Sequence, residues 1–164
     1  MPGGRRYKGS MNLHVVLVQP LIPPNTGNIA RLTAATRVKL HLIEPLGFEL
    51  TDRYLKRAGL DYWPETQVNT YSSWETFLED SHCKSEQLWL FSTHAACSYY
   101  EAAYKSGDYL VFGNETHGLA KEFHERYAER RVQIPMDNPK VRSLNLSTSV
   151  GIALYEARRQ FAIT

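Results

Sequence analysis

Apolar positions along this chain fall into two alternating kinds of stretch. Short unbroken runs, LHVVLV at 13–18, LHLI at 40–43, LWLF at 88–91 and YLVF at 109–112, have the length and composition of strands buried on both faces of a parallel sheet. Between them apolar residues recur every three or four positions, the spacing of a helix with one buried face. A short helix is predicted over 29–37, capped by Asn25 or Thr26, and another over 51–59, capped by Thr51 or Asp52 and stopped by Gly59. Ser72 and Glu75 form a capping-box pair opening a helix that carries Trp74, Phe77 and Leu78. A helix near 121–130 leads into a strand, RVQI, at 131–134. The last helix, capped by Ser147 or Asn145, runs to about Phe161 with Leu146, Val150, Leu154, Ala157 and Phe161 on one face. The alternation implies an α/β parallel sheet with helices on both faces.

Three loops interrupt this pattern with small and polar residues, each after a buried strand: 19–28, 113–118 and 135–145. In open α/β sheets ligands sit at the carboxyl ends of strands, so the three can converge on one site. The third is the densest, with Lys140, Arg142, Ser143 and Asn145 between two prolines and a helix. A donor-rich connection of that length without structure of its own is more often functional than a spacer. In the second, GNETHGL, Gly113 and Gly118 let backbone approach a ligand and Glu115 supplies an acceptor, although a turn with two glycines is also an ordinary structural turn. The first, PPNTGNIAR, places Gly27, Asn28 and Arg31 near the start of a helix. Alone, Arg31 reads more readily as a surface or ion-paired arginine, and Lys140 and Arg142 as solvated charges.

Composition narrows the chemistry. The 164 residues suit one domain over 11–164 that buries roughly 70% of its unfolded surface, with 1–10 a tail or leader. No run of about 18 apolar residues and no signal segment is present, which points to a cytoplasmic protein without a membrane span. Cys83 and Cys97 read as reduced thiols, and the six histidines show no metal-ligand spacing, so no metal is expected. A formal charge of +2 permits a nucleic-acid partner without arguing for one. GxGxxG, GxxxxGK[ST] and GxSxG are all absent, which removes the usual dinucleotide, P-loop and hydrolase readings.

Taken together, PPNTGNIAR, LVFGNETHGL, then IPM…VRSLNLS and ALYEARRQ resemble the three motifs of the SPOUT methyltransferases, in order and in spacing. HLIEPLGF and RAGLDYW also match the YibK-like, single-domain branch, so the resemblance spans residues 13 to about 161. It implies a C-terminal deep trefoil knot, a homodimer whose sites are completed by the neighbouring subunit, and S-adenosyl-L-methionine as cofactor. It further implies methylation of the ribose 2′-OH of the tRNA wobble nucleotide, cytidine or modified uridine, with the anticodon stem-loop as partner. Carried over by position, the cofactor site comprises Phe91, Gly113, Glu115, Gly118, Ile134, Met136, Ser143 and Leu144; Arg31, Asn28, Ser143, Asn145 and Tyr155 are catalytic.

A guanidinium is always protonated and makes a poor base, so Arg31 suits alkoxide stabilisation or a phosphate grip. RNA is expected at Arg31, Arg53, Lys56, Arg57, Lys140 and Arg142, with Arg126 and Arg130 as further candidates and Tyr62 or Trp63 as stacking platforms. Four positions depart from the wobble branch: Asn114 for proline, His117 for arginine, His94 for lysine and Thr148 for asparagine. They leave open a 2′-O-methyltransferase of another tRNA or rRNA position, or a catalytically silent RNA-binding module.

Overall fold

The structure, a computed structural model, describes residues 12–51 and 66–163. The helix expected at 51–59, the residues Arg53, Lys56, Arg57, Tyr62 and Trp63, and the tail at 1–10 lie outside the described residues.

Six strands form a wholly parallel sheet: β1 (His14–Val18), β2 (Lys39–Ile43), β3 (Val68–Tyr71), β4 (Leu88–Phe91), β5 (Tyr109–Phe112) and β6 (Arg131–Val132). Their order across the sheet is β3-β2-β1-β5-β4-β6. All five residues of β1 are buried. Because successive side chains point to opposite faces, β1 feeds two cores. Val15 and Leu17 join the core under the helices α1 (Pro23–Thr36) and α4 (Leu146–Ile163), where Ile29, Val150, Leu154 and Ala157 are fully covered. Val16 and Val18 join the core under α2 (Trp74–Ser81) and α3 (Lys121–Arg126), built around Phe77. Helices therefore cover both faces.

The buried histidines belong to this second core. His14 stacks on Tyr109 with ring centroids 4.1 Å apart. Its Nδ1 lies 2.9 Å from His41 Nε2, and His41 Nδ1 lies 3.0 Å from the Tyr71 hydroxyl. Burial pushes His14 down to about 4 and His41 down to about 3, so both rings are neutral at pH 7 and can share their N–H groups along the chain.

Several boundaries differ from expectation. Helix α1 begins at Pro23, ahead of the predicted start, because prolines in the first two helical positions lack only N–H groups that would have no partner there. Asn25 and Thr26 are consequently inside the helix and buried, not caps. The cap of α2 is Ser73, whose Oγ accepts from Thr76 N at 3.1 Å; Glu75 turns instead to Arg126, at 2.6 Å. Strand β3 was not predicted, since it is an edge strand whose VNTY sequence has two exposed polar residues at its centre. Helix α3 ends at Arg126, with a 3₁₀ turn over Ala128–Arg130, and β6 is shorter than RVQI.

Two arginines offered to RNA are committed within the protein. Arg126 pairs with Glu75, while Arg130 donates to Leu88 O at 2.9 Å and Glu86 O at 2.7 Å and lies 3.9 Å over the Trp89 ring. Both arginines, offered to RNA from the sequence, thus have partners within the protein.

Candidate active site

The three polar loops meet at the carboxyl ends of β1, β4 and β5. The loop after β5 is drawn into a closed ring: Asn114 N donates to Gly118 O at 3.3 Å and Gly118 N returns the bond at 3.0 Å. Asn114 Oδ1 accepts from Thr116 N at 3.1 Å and His117 N at 2.7 Å, so this asparagine closes the turn with its side chain. Gly118 has φ +65°, and a Cβ on Gly113 would fall inside the Gly118–Leu119 backbone. A side chain at Gly113 has no room, and one at Gly118 would meet no neighbour but would strain the left-handed backbone.

The ring presents Glu115 to the first loop. One carboxylate oxygen accepts from Leu21 N at 2.8 Å and the other from Ile22 N at 3.0 Å, placing negative charge at the amino end of α1, which the helix dipole favours. The helix itself needs no side-chain cap, since Pro23 and Pro24 have no N–H and Asn25 N and Thr26 N bond to Ile22 O; the carboxylate instead fixes the two residues that lead into it. Asn25 Nδ2 approaches the same carboxylate at 3.4 Å, and Asn25 Oδ1 accepts from Asn145 Nδ2 at 3.0 Å. Asn145 Oδ1 in turn caps α4, accepting from Thr148 N at 3.2 Å and Ser147 Oγ at 2.6 Å. The series Glu115–Asn25–Asn145 thus bonds the three loops to one another.

Between these loops lies a cavity of about 910 Å³. Phe91 and Phe112 line it, with rings stacked at 4.6 Å between centroids. The remaining lining is mostly loop residues, joined by Asn25 of α1, His124 of α3 and Leu146 and Ser149 of α4, with one carboxylate, Glu115, and the cationic side chain of Arg142.

A model of the SpoU rRNA methylase family matches residues 12–155. The chain belongs to that family. This SpoU protein is 46% identical over 148 residues to a tRNA (cytidine(34)-2'-O)-methyltransferase of Polaromonas sp. (strain JS666), covering 90% of each chain. It is also 46% identical to the enzyme of that name from Burkholderia pseudomallei, covering 90% of this chain and 94% of that one. A solved structure concerning the 2-OH methylation of C/U34 on tRNA is 47% identical and superposes with a TM-score of 0.86, covering 95% of this chain and all of that one. The AdoMet complex of the SpoU methyltransferase AviRb from Streptomyces viridochromogenes, at 23% identity and a TM-score of 0.79, shares the fold; it covers 92% of this chain and 58% of that one.

In this SpoU chain the residues assigned to the cofactor by resemblance come together. Phe91, Gly113, Glu115, Gly118, Ile134, Met136, Ser143 and Leu144 all line the cavity, and so do Arg142 and Asn145. Asn28, Arg31 and Tyr155 do not. Asn28 and Arg31 are exposed on α1, and Tyr155 is exposed on α4 with the Arg158 guanidinium 5.2 Å from its ring. Helices α1 and α4 pack together, Leu32 meeting α4 opposite Gly151. The assigned site is thus divided between a cavity and a helical surface.

Asn25 was missed as a site residue. The double proline ahead of it carried the signal, because prolines suited to the first helical positions place Asn25 within the helix. His124, which also lines the cavity, carried no local motif. Among the described residues no group of three or more His, Cys, Asp or Glu could hold a metal ion. Cys83 and Cys97 are free, with burial pushing the Cys83 thiol up to about 12.

Proposed function

We propose that this protein transfers a methyl group from S-adenosyl-L-methionine to the ribose 2′-OH of the wobble nucleotide of tRNA, cytidine or modified uridine. The observation that carries this reading is the convergence of the motif residues on one cavity, in a chain covered over 90% of its length by relatives bearing that activity in their names.

The cavity suits the cofactor. Its volume lies within the usual range for small-molecule sites. Phe91 and Phe112 offer apolar surface to an adenine, and the side-chain-free turn at Gly113 and Gly118 leaves peptide groups close to whatever occupies the cavity. When bound, the cofactor supplies an electrophilic methyl group on a sulfonium.

The chain's own groups must hold a ribose hydroxyl in line and ease the loss of its proton. Ser143 and Asn145, both in the cavity lining, contact that hydroxyl in this reading, Asn145 being held by the hydrogen bond that its Nδ2 donates to Asn25 Oδ1. Arg31, a permanent cation, stabilises the developing alkoxide or holds the adjacent phosphate, with Asn28 beside it and Tyr155 as a further contact. Arg142, exposed on the third loop, grips RNA phosphate.

Because Asn28, Arg31 and Tyr155 stand outside the cavity of their own chain, the reading includes a homodimer in which α1 and α4 of one subunit complete the cavity of the other. It also includes the trefoil knot. The segment after β6 travels from the sheet edge back to Asn25 on α1, a course consistent with threading. A single domain working in the cytoplasm, where tRNA is modified, fits the same reading; no helix among the described residues is long and apolar enough to cross a membrane.

Mapping 2′-O-methylation across tRNA and rRNA with and without the gene tests the reading. Loss of the mark at the wobble ribose is the expected result. An unchanged wobble ribose with loss elsewhere would transfer the activity to another RNA position. Calorimetry showing no saturable uptake of S-adenosylmethionine would reduce the protein to an RNA-binding module.

A further inference from the structure

The cavity lining holds, besides Arg142, three imidazoles: His94, His117 and His124. The one carboxylate in that lining, Glu115, is turned to two backbone N–H groups of the first loop. His124 is distinguished by its neighbours. Its ring meets His94 edge-on at 6.4 Å between centroids, and its Nδ1 lies 3.3 Å from a terminal nitrogen of Arg131. A guanidinium only donates, so Nδ1 of His124 accepts and the ring proton sits on Nε2, as a donor. The guanidinium is itself braced, Arg131 Nε donating to Ala128 O at 3.2 Å. His94, His124 and Arg131 therefore form a continuous strip of donors from the cavity lining to β6 at the sheet edge.

We propose that this strip is a subsite for a phosphodiester of the RNA strand leading into the cavity. The inference rests on the reading of the protein as an RNA ribose methyltransferase, since a ribose held in the cavity has a phosphate on either side of it. Imidazole and guanidinium donors match phosphate oxygens directly. A cation would be repelled by Arg131, and a base edge would call for acceptors as well as donors.

The test uses the full-length enzyme with tRNA. In His94→Ala/His124→Gln the KM for tRNA rises about tenfold, as expected for the loss of one charge-assisted hydrogen bond. S-adenosylmethionine affinity by calorimetry is retained, and the slope of log affinity against log salt falls by about 1 in Arg131→Gln, which removes the permanent cation of the strip. His94→Arg, which preserves a donor at an exposed position, keeps tRNA binding, and near-ultraviolet circular dichroism checks that the double variant is folded. An unchanged KM and salt slope in variants of an enzyme that methylates tRNA would overturn the subsite and leave the activity standing. Loss confined to kcat, or to cofactor affinity, would also overturn it. If the parent protein methylates no RNA, the functional reading and the subsite fall together.

Discussion

Asn25 uses both ends of its amide, donating toward Glu115 and accepting from Asn145 while 7% exposed. Asn25→Ala removes two hydrogen bonds at once, and a loss of about 1–3 kcal/mol in urea unfolding is expected, at roughly 0.5–1.5 kcal/mol for each. Asn25→Asp should be worse at neutral pH, because it faces one carboxylate with another. Arg31→Ala has a different signature. Exposed and away from the cavity, it should lower kcat about 10²- to 10³-fold while calorimetry finds cofactor affinity nearly intact. At this scale the glycines, Glu115 and Ser143 were legible because each belongs to a short motif whose residue type has few other uses. Asn25 was not, since an asparagine near a helix start reads first as a cap, and its true partners lie 90 and 120 positions away.

Strands β1 and β2 share a titratable core. With folded-state values near 4 and 3, below the ordinary 6.5, the unfolded chain binds the protons first as pH falls. Stability is then complete above pH 6.5 and drains as the pH drops toward 4 and below, by about 1.4 kcal/mol per pH unit for each ring inside its window. Unfolding midpoints between pH 7 and 4.5 should show this slope, and His41→Gln should flatten it. The turn after β5 makes a separate prediction. Gly113→Ala drives a methyl group into the Gly118–Leu119 backbone, so S-adenosylmethionine binding should be lost in calorimetry even where the protein still folds. Buried strands were readable from their unbroken apolar runs, and α4 from its spacing. Strand β3 escaped because an edge strand with one neighbour needs no apolar face. The start of α1 differs from expectation because Pro23 and Pro24 occupy its first two positions, where they open a helix as readily as they end a loop.

For the whole molecule the division between cavity and helical surface makes complementation the decisive measurement. Arg31→Ala subunits keep an intact cavity, and Gly113→Ala subunits keep an intact α1. Neither should methylate alone, while co-refolded mixtures should recover activity if one subunit serves the other. A mixture as inactive as its parents would place the whole site within one chain. The sheet class was readable from the alternation of strands and helices, whereas the meeting of three loops was only permitted by it; the motif resemblance supplied that step.

The bonds that assemble the cavity also set when it can exist. Glu115 reaches back 94 positions to Leu21, and Asn145 reaches back 120 to Asn25, so the amino-terminal third of the chain must wait for the last helix before its polar groups are satisfied. Contacts of such separation close late and slowly. A nascent chain whose α4 has not yet been made should therefore have no competent pocket, and methyl-donor capture waits for the last helix.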